Sequence, residues 1–388
     1  MRPPAVVEPG PPLAPDRLAR FSRQLLLPGF GEIAQRRLAH ARVLVVGAGG
    51  LGSASIPYLA SAGVGTIGVI DTDVVELSNL HRQVVHGVTD IGRSKIDSIA
   101  DAISAIDPTV TVNRHRMRLD AGNALELAAG YDLIMDGSDN FATRYLTNDT
   151  AAIARKPLVW GAILRYSGQA GVAFAGFGPS YRDLFPTPPD AGDVLSCSEG
   201  GVLPSVCAAI GSIMATETIK LLTGLGEPLL GRITTYDALT GRFRELSYSS
   251  APDAEPINEL TDYELFCRTT RASDVLPAEV RESAQTITPI ELSRRLAGHE
   301  PLQLIDVREP FESEIVSIAG SDLISLAMIE ESLARIRLDV PVIVYCHHGS
   351  RATRASSLLR AHGIQNVQEL EGGIDAFAAT VDPSMTRY

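Results

Sequence analysis

Residues 43–53 read Val-Leu-Val-Val-Gly-Ala-Gly-Gly-Leu-Gly-Ser, an apolar run that breaks abruptly into glycines. Four consecutive apolar residues bounded by glycine favour a buried strand. Gly47, Gly49 and Gly52 follow at G-x-G-x-x-G spacing, with Gly50 between them, and a helical pattern begins at once. Such a junction sets the carboxyl end of a strand against a helix N-terminus, whose free N–H groups and positive dipole end attract phosphate. Asp71 closes a second apolar run about 20 residues on, where a carboxylate accepts ribose hydroxyls.

The same alternation continues. Strands are predicted at 43–46, 66–70, 110–113 and 132–135, with helices over 51–62 and 95–106. Further strands fall in 158–172 and 232–247, around a helix within 201–222. Strand–helix alternation of this kind predicts a parallel sheet covered on both faces, a Rossmann-like doubly wound α/β fold. Ahead of it, residues 18–41 are helical with a break at Pro28-Gly29. The first fifteen residues hold six prolines and are expected to form a disordered lead-in. The predicted organisation is a lead-in at 1–15, a nucleotide domain at 16–250, a linker at 251–285 and a small α/β domain at 286–388. In the last, helices are expected at 289–296 and 351–362, and strands at 302–306 and 342–346.

Composition excludes some functions. Net charge is −12 with no basic stripe, which argues against nucleic acid as a partner. The four cysteines, Cys197, Cys207, Cys267 and Cys346, form no C-x-x-C pair, against a disulfide framework or a thiolate zinc site. Cys207 and Cys267 read as small buried hydrophobes. The apolar stretch 201–222 carries Glu217 and Lys220 at helical spacing, so it is expected to pack in a core and not to span a membrane. With no signal pattern at the N-terminus, a cytoplasmic protein is expected.

Residues 76–83, Glu-Leu-Ser-Asn-Leu-His-Arg-Gln, and then Lys95 shift the balance between nucleotides. A dinucleotide's pyrophosphate needs little beyond the helix terminus. A triphosphate that must lose pyrophosphate needs cations, and the glycine loop lacks the lysine of a Walker motif. Asn79, Arg82 and Lys95 supply an amide and two cations near the phosphate end. Asp136 and Asp139 follow the strand at 132–135. Asp136 reads as a turn or cap; Asp139, sharing the carboxyl edge with Asp71, reads as a magnesium or nucleotide ligand.

In the small domain, Cys346-His347-His348-Gly349-Ser350-Arg351 joins a strand to a helix. Converging backbone N–H groups and a helix N-terminus stabilise negative charge on sulfur, and Arg351 is expected to fold back and brace the loop. Phosphatase loops have the form C-x5-R. This loop is C-x4-R, one residue shorter, and suits a persulfide sulfur. His347 and His348 invite a metal reading, but adjacent side chains are expected to point apart, and no third ligand is evident.

Taken in order, R-F-S-R-Q at 20–24, G-A-G-G-L-G, D-x-D-x-V-x-x-S-N-L-x-R-Q, G-x-x-K and D-x-x-D-N resemble the MoeB/ThiF branch of the ubiquitin-activating-enzyme superfamily. With Asp306-Val-Arg308 and E-G-G-I-D-A-F at 371–377, the second domain resembles a rhodanese. The whole chain resembles the MoeZ-type fusion of the two.

The resemblance implies ATP-dependent adenylation of the C-terminal glycine of a ubiquitin-like sulfur carrier ending in Gly-Gly. Asp71 would bind ribose; Asn79, Arg82 and Lys95 would contact phosphates; Asp139 would lie near Mg2+. Arg23 would reach the nucleotide of a second subunit, implying a homodimer. Cys346 would carry the persulfide, drawn from thiosulfate or a cysteine desulfurase. Cys197 falls where fused relatives carry a cysteine that attacks the acyl-adenylate or resolves a persulfide. Two C-x-x-C zinc pairs of many relatives fall here on Ser180–Asp183 and on 251–258, so no zinc is expected. The alternatives are an NAD oxidoreductase, for which no proton donor stands out, and a carrier-binding scaffold without turnover.

Overall fold

The computed structural model describes residues 3–189, 200–250, 257–263 and 285–388. The chain divides into two compact units, Met1–Thr270 and Arg271–Tyr388.

In the first unit the strands are β1 (Arg42–Val46), β2 (Thr66–Ile70), β3 (Thr111–His115), β4 (Leu133–Asp136), β5 (Leu158–Leu164), β6 (Ser167–Ala173), β7 (Arg232–Asp237) and β8 (Arg242–Ser247). They form one sheet in the order β3-β2-β1-β4-β5-β6-β7-β8. The strands from β3 to β5 run parallel, and those from β5 to β8 alternate. Val46 stands opposite Ile70 on one side and Asp136 on the other. That register brings the turns after β1, β2 and β4 to one edge. The chain reverses its winding between β1 and β4, which is where ligands bind in such sheets.

Two helices, Gly50–Ala62 and Pro204–Thr223, cover one face. They approach closely because Gly211 has no side chain: a Cβ there would lie 2.6 Å from that of Ala54. Among the described residues the Pro204–Thr223 helix is the one long and apolar enough to cross a membrane. It is instead largely core: Val206, Ile210, Met214 and Leu221 are buried. Glu217 is also buried, accepting the Leu229 N–H at 2.9 Å and pairing with Lys220 at 2.5 Å.

Each of the two longer strand predictions resolves into a hairpin. The first turns at Arg165 (φ +54°), the second at Gly241 (φ +65°). A helix without a sequence expectation, Phe141–Ala154, starts after β4, with Asn140 Oδ1 capping the Thr143 N–H at 2.8 Å.

The lead-in is a correction. Residues 3–14 are placed against the unit, with Val7 buried and the Val6 N–H donating to Leu221 O at 3.1 Å. Prolines fix φ and so lower the entropy lost when an extended segment docks, and the two valines supply the apolar contact.

The predicted linker is also partly docked. Leu260 and Tyr263 pack on the core around Trp160 and Tyr181, and the Tyr263 hydroxyl donates to Asp149 at 2.5 Å. Asp149 further accepts Arg182 Nε at 2.9 Å. Burial pushes the Asp149 carboxyl up to about 6, and Arg182 offsets this only in part. Residues 251–256 and 264–284 lie outside the described residues.

The second unit is a five-stranded parallel sheet in the order β11-β10-β12-β13-β9. Its strands are β9 (Gln285–Ile287), β10 (Gln303–Asp306), β11 (Asp322–Leu323), β12 (Val342–Tyr345) and β13 (Val367–Leu370). Helices Pro289–Ala297, Pro310–Ile315, Ser350–Ala361 and Gly373–Thr380 surround it. Every residue of β10 and β12 is buried, as expected of central parallel strands.

The N-terminal helix Pro15–Arg20 is clamped to the first unit by Asp107. Arg17 binds both its oxygens, at 2.9 and 2.7 Å, and Arg20 Nε lies 3.2 Å away. Burial raises the Asp107 carboxyl, but hydrogen bonds from Arg17 and Thr109 outweigh it and hold the group at about 2, below its ordinary 3.8. A depressed carboxyl stabilises the fold above 3.8, and that contribution is lost as pH falls towards 2. Asp107→Asn is expected to cost about 2 kcal/mol at neutral pH. In urea titrations the gap from wild type should close as pH falls through that window.

Candidate active sites

The turn after β1 explains the glycines. Gly47 has φ +93°, and a Cβ on Gly52 would sit 2.1 Å from Gly47 O. Any larger residue at 52 breaks the turn that opens the Gly50–Ala62 helix. A Cβ on Gly50 would meet Cys207 Sγ at 2.9 Å, so the buried Cys207 packs behind the loop, as a small hydrophobe should.

In front of the loop lies a cavity of about 780 Å3 at the carboxyl edge. Gly47, Gly49, Gly50, Asp71, Asn79, Arg82, Lys95 and Asp139 all line it. Gly52 sits behind it as packing. Asp71 spans from loop to strand: its Oδ2 accepts the Ala48 N–H at 2.7 Å and its Oδ1 the Asp73 N–H at 2.8 Å. Asn79 is buried and its Oδ1 accepts the Glu76 N–H at 3.3 Å. Arg82 is half-buried and donates Nη1 to Ser78 O at 2.9 Å. The buried Lys95 pairs with Asp73 at 2.8 Å, a partner the sequence did not suggest.

Asp136 caps its turn, accepting the Ser138 N–H at 2.8 Å and the Thr147 hydroxyl, so it is spent on structure. Asp139 is exposed at the cavity wall. Arg23 lies on the short Ser22–Leu25 helix and does not line the cavity of its own chain. Cys197 lies outside the described residues.

Sequence reasoning missed Arg144 and Gln83. Arg144 is buried, donates Nη2 to Ser138 O at 3.1 Å and faces the cavity beside Phe141. The one signal was its position a turn into the helix that follows Asp139-Asn140. Three buried polar atoms on the cavity wall, Gln83 Oε1, Ser138 Oγ and Arg144 Nε, have no hydrogen-bond partner. Natural folds rarely leave such groups unsatisfied, which marks the space as built for a polar ligand.

A second cavity of about 620 Å3 runs over β5 to β8 and is lined by Ile163, Leu164, Tyr236, Arg165 and Arg244. It shares Asp139, Arg144 and Ile163 with the first. The two cavities therefore meet at Arg144.

In the second unit, Cys346 follows β12 and is buried, with its Sγ accepting the Gly349 N–H at 3.1 Å. Gly349 (φ +119°) precedes the Ser350–Ala361 helix, so the loop ends at a helix N-terminus. The E-G-G-I-D stretch seats the loop. The Ile374 N–H donates to Cys346 O at 2.9 Å and the Asp375 N–H to His347 O at 3.1 Å. A Cβ on Gly373 would clash with both carbonyls.

The expected brace is real but indirect. Arg351 grips Glu312 through Nη1 at 2.6 Å and Nη2 at 2.8 Å, reaching out to the Pro310–Ile315 helix and not to the loop backbone. Nothing in the sequence singled out Glu312. Burial would raise the Glu312 carboxyl, but Arg351 more than offsets this and holds it below its ordinary value. Asp306 and Arg308 form a fully buried bidentate pair at 2.9 and 2.6 Å.

The two histidines need correction: their rings stack, centroids 3.9 Å apart. The turn after the strand breaks the alternation that would part them. Burial, then repulsion from His348, lowers His347 to about 4, so it is neutral near pH 7. His347 Nε2 and Arg351 Nε are buried without partners, the counterpart of the orphans in the first cavity. No group of three metal-ligating side chains occurs among the described residues.

Fold and sites together define a nucleotide-binding α/β domain joined in one chain to a cysteine-loop domain of sulfurtransferase type. The ThiF family model matches residues 21–257, and the rhodanese-like domain model residues 288–380. The chain is 48% identical over 391 residues to the probable adenylyltransferase/sulfurtransferase MoeZ of Mycobacterium tuberculosis, covering 99% of both. It is 41% identical to adenylyltransferase and sulfurtransferase MOCS3-2 of Zea mays, over 97% of this chain and 82% of that one. Among solved structures, E. coli MccB with MccA-N7isoASN matches with a TM-score of 0.56 at 19% identity, over 62% of this chain and 75% of that one, a likeness of fold. The chain belongs to the ThiF family, fused to a rhodanese-like domain, and is an adenylyltransferase and sulfurtransferase that uses ATP. The oxidoreductase and scaffold readings fall away.

Gly52→Ala is expected to abolish ATP binding in calorimetry, because its Cβ would lie 2.1 Å from Gly47 O, against backbone that cannot yield. Unfolding of the second unit should be unchanged.

Proposed function

We propose that the first unit adenylates the C-terminal glycine of a ubiquitin-like sulfur-carrier protein and that Cys346 then supplies sulfur to it. The observation that carries this reading is the junction of the two cavities at Asp139, Arg144 and Ile163. A nucleotide on the glycine loop and an extended tail in the groove would meet there, and a Gly-Gly end is thin enough to pass between side chains. A dinucleotide would have no use for the groove.

In the adenylation step a carboxylate oxygen of the tail attacks the α-phosphorus, and the bond to the β-phosphate oxygen breaks. Pyrophosphate leaves with the electron pair. Arg82 and Lys95 would stabilise that charge, Lys95 exchanging Asp73 for phosphate, while Asp71 and Asn79 hold the nucleoside end and the loop. Arg144 would orient the incoming carboxylate. Asp139 and the phosphates suit Mg2+, which takes few protein carboxylates and would neutralise phosphate charge. Arg23 would serve the site of a second subunit in a homodimer.

In the second step the outer sulfur of a Cys346 persulfide attacks the acyl carbon and AMP leaves. A thiol, assigned to Cys197, then attacks Cys346 Sγ. The thiocarboxylate departs, a Cys197–Cys346 disulfide forms, and an external thiol reduces it. Thiosulfate or a cysteine desulfurase would reload Cys346; the orphaned Arg351 Nε and His347 Nε2 suit an anionic donor. We assign no zinc: Ser180–Asp183 is a capped helical turn whose Arg182 pairs with Asp149, a donor set foreign to zinc. This chemistry needs ATP and reduced thiols, hence the cytoplasm.

Intact mass spectrometry of Gly-Gly-ending carriers with protein, Mg-ATP and thiosulfate tests the reading. One carrier should gain AMP and exchange it for sulfur, the exchange failing in Cys346→Ser. Lys95→Ala should slow adenylation about 100- to 1000-fold. ATP turnover with no change in any carrier would count against a carrier substrate.

A further inference from the structure

Tyr388 touches the cysteine loop from two sides. Its ring lies parallel to that of His347, centroids 4.3 Å apart and planes 7° from parallel, extending the His347–His348 stack. Its hydroxyl accepts from Arg308 Nη1 at 2.7 Å and donates to Glu312 Oε1 at 3.0 Å. Glu312 is the carboxylate gripped by Arg351. Through the ring Tyr388 therefore reaches residue 347, and through Glu312 it reaches residue 351, the two ends of the segment that follows Cys346.

The connection is stiff. Arg308 is fully buried, with Asp306 on its Nε and Nη2 and Tyr388 the short acceptor for its Nη1. Glu312 Oε2 takes Arg351 Nη1 and the Glu309 N–H, and Oε1 takes Arg351 Nη2 and the tyrosine hydroxyl. Removing that hydroxyl takes from Arg308 Nη1 its short acceptor, leaving it Glu312 O at 3.3 Å, and removes one of the two donors on Glu312 Oε1. Arg387 ties the same segment to Asp375 by two bonds, at 2.8 and 2.9 Å, and the Asp375 N–H holds His347 O at 3.1 Å. Burial drives the Tyr388 phenol up to about 12, so it remains a donor to Glu312 at any working pH.

We propose that Tyr388 is a positioning residue of the sulfurtransferase site, its ring and hydroxyl holding His347 and Glu312–Arg351 so that the Gly349 N–H stays aimed at sulfur. This rests on the reading of Cys346 as the sulfur-carrying residue. Tyr388 need not touch donor or acceptor. Its effect is on how well the loop stabilises anionic sulfur.

The test is alkylation of Cys346 by iodoacetamide in the full-length chain, followed by peptide mass spectrometry across pH, with Tyr388→Phe and Tyr388→Ala. Tyr388→Phe keeps the stack and loses the hydroxyl. Its profile should shift to higher pH by about one unit, a tenfold loss of reactive sulfur on the acid limb. Tyr388→Ala should shift it further. Wild-type profiles in both variants overturn the proposal, as does lowered thermal stability with an unmoved midpoint, which is a purely structural role. Failure of the wild-type chain to form a persulfide on Cys346 from thiosulfate would overturn the reading of Cys346 instead.

Discussion

Gly47 and Gly137 lie back to back where β1 and β4 end, and the first active site is assembled on that contact. A Cβ on Gly47 would meet Gly137 O at 3.1 Å, and one on Gly137 would meet Gly52 N at 3.2 Å. With no side chains between them, the two turns close on each other and the crevice opens above them and not through them. Asp71 fastens the third turn to the first through the Ala48 N–H. Widening this contact would separate the Asp71 carboxylate from the N-terminus of the Gly50–Ala62 helix. The sheet register supplies the alignment and the glycines let it be used.

What the sequence made legible follows from the same locality. Strand, glycine turn and helix start are written within eleven residues, so the nucleotide loop could be read directly. The Cys346 loop, four residues between strand and helix, could be read in the same way. Arg144, Gln83 and Glu312 were not legible, because each acts through tertiary contacts. Arg144 lies one turn into a helix whose buried face includes Thr147, Asn148 and Asp149, which blurs the apolar period that would have announced it. Glu312 matters only because the fold sets its helix beside Arg351. The proline-rich lead-in misled for a related reason: its composition is that of an unfolded segment, while two valines and a backbone bond to Leu221 hold it in place.

The overall charge says little about either site. The chain is acidic, at −12, yet Arg82, Lys95 and Arg144 converge on one cavity. Most surface charges are screened within about 10 Å at ordinary ionic strength. A partly enclosed crevice keeps its own field, and the buried Lys95 and Arg144 lie within it.

Carrying two reactions in one chain demands opposite uses of positive charge. The nucleotide site must bring cations onto a leaving group, since pyrophosphate departs more easily the better its charge is met. The sulfur site must stabilise an anion without quenching it, because a persulfide paired tightly with a guanidinium would be a poor nucleophile. The geometry separates the two tasks. Arg351 stands two residues beyond Gly349, whose N–H meets the sulfur, but both its terminal nitrogens are committed to Glu312. The sulfur accepts the Gly349 N–H at the N-terminus of a helix, partial charges that favour the anion and release it. The bidentate pair is therefore best understood as a restraint on arginine as much as a brace for the loop.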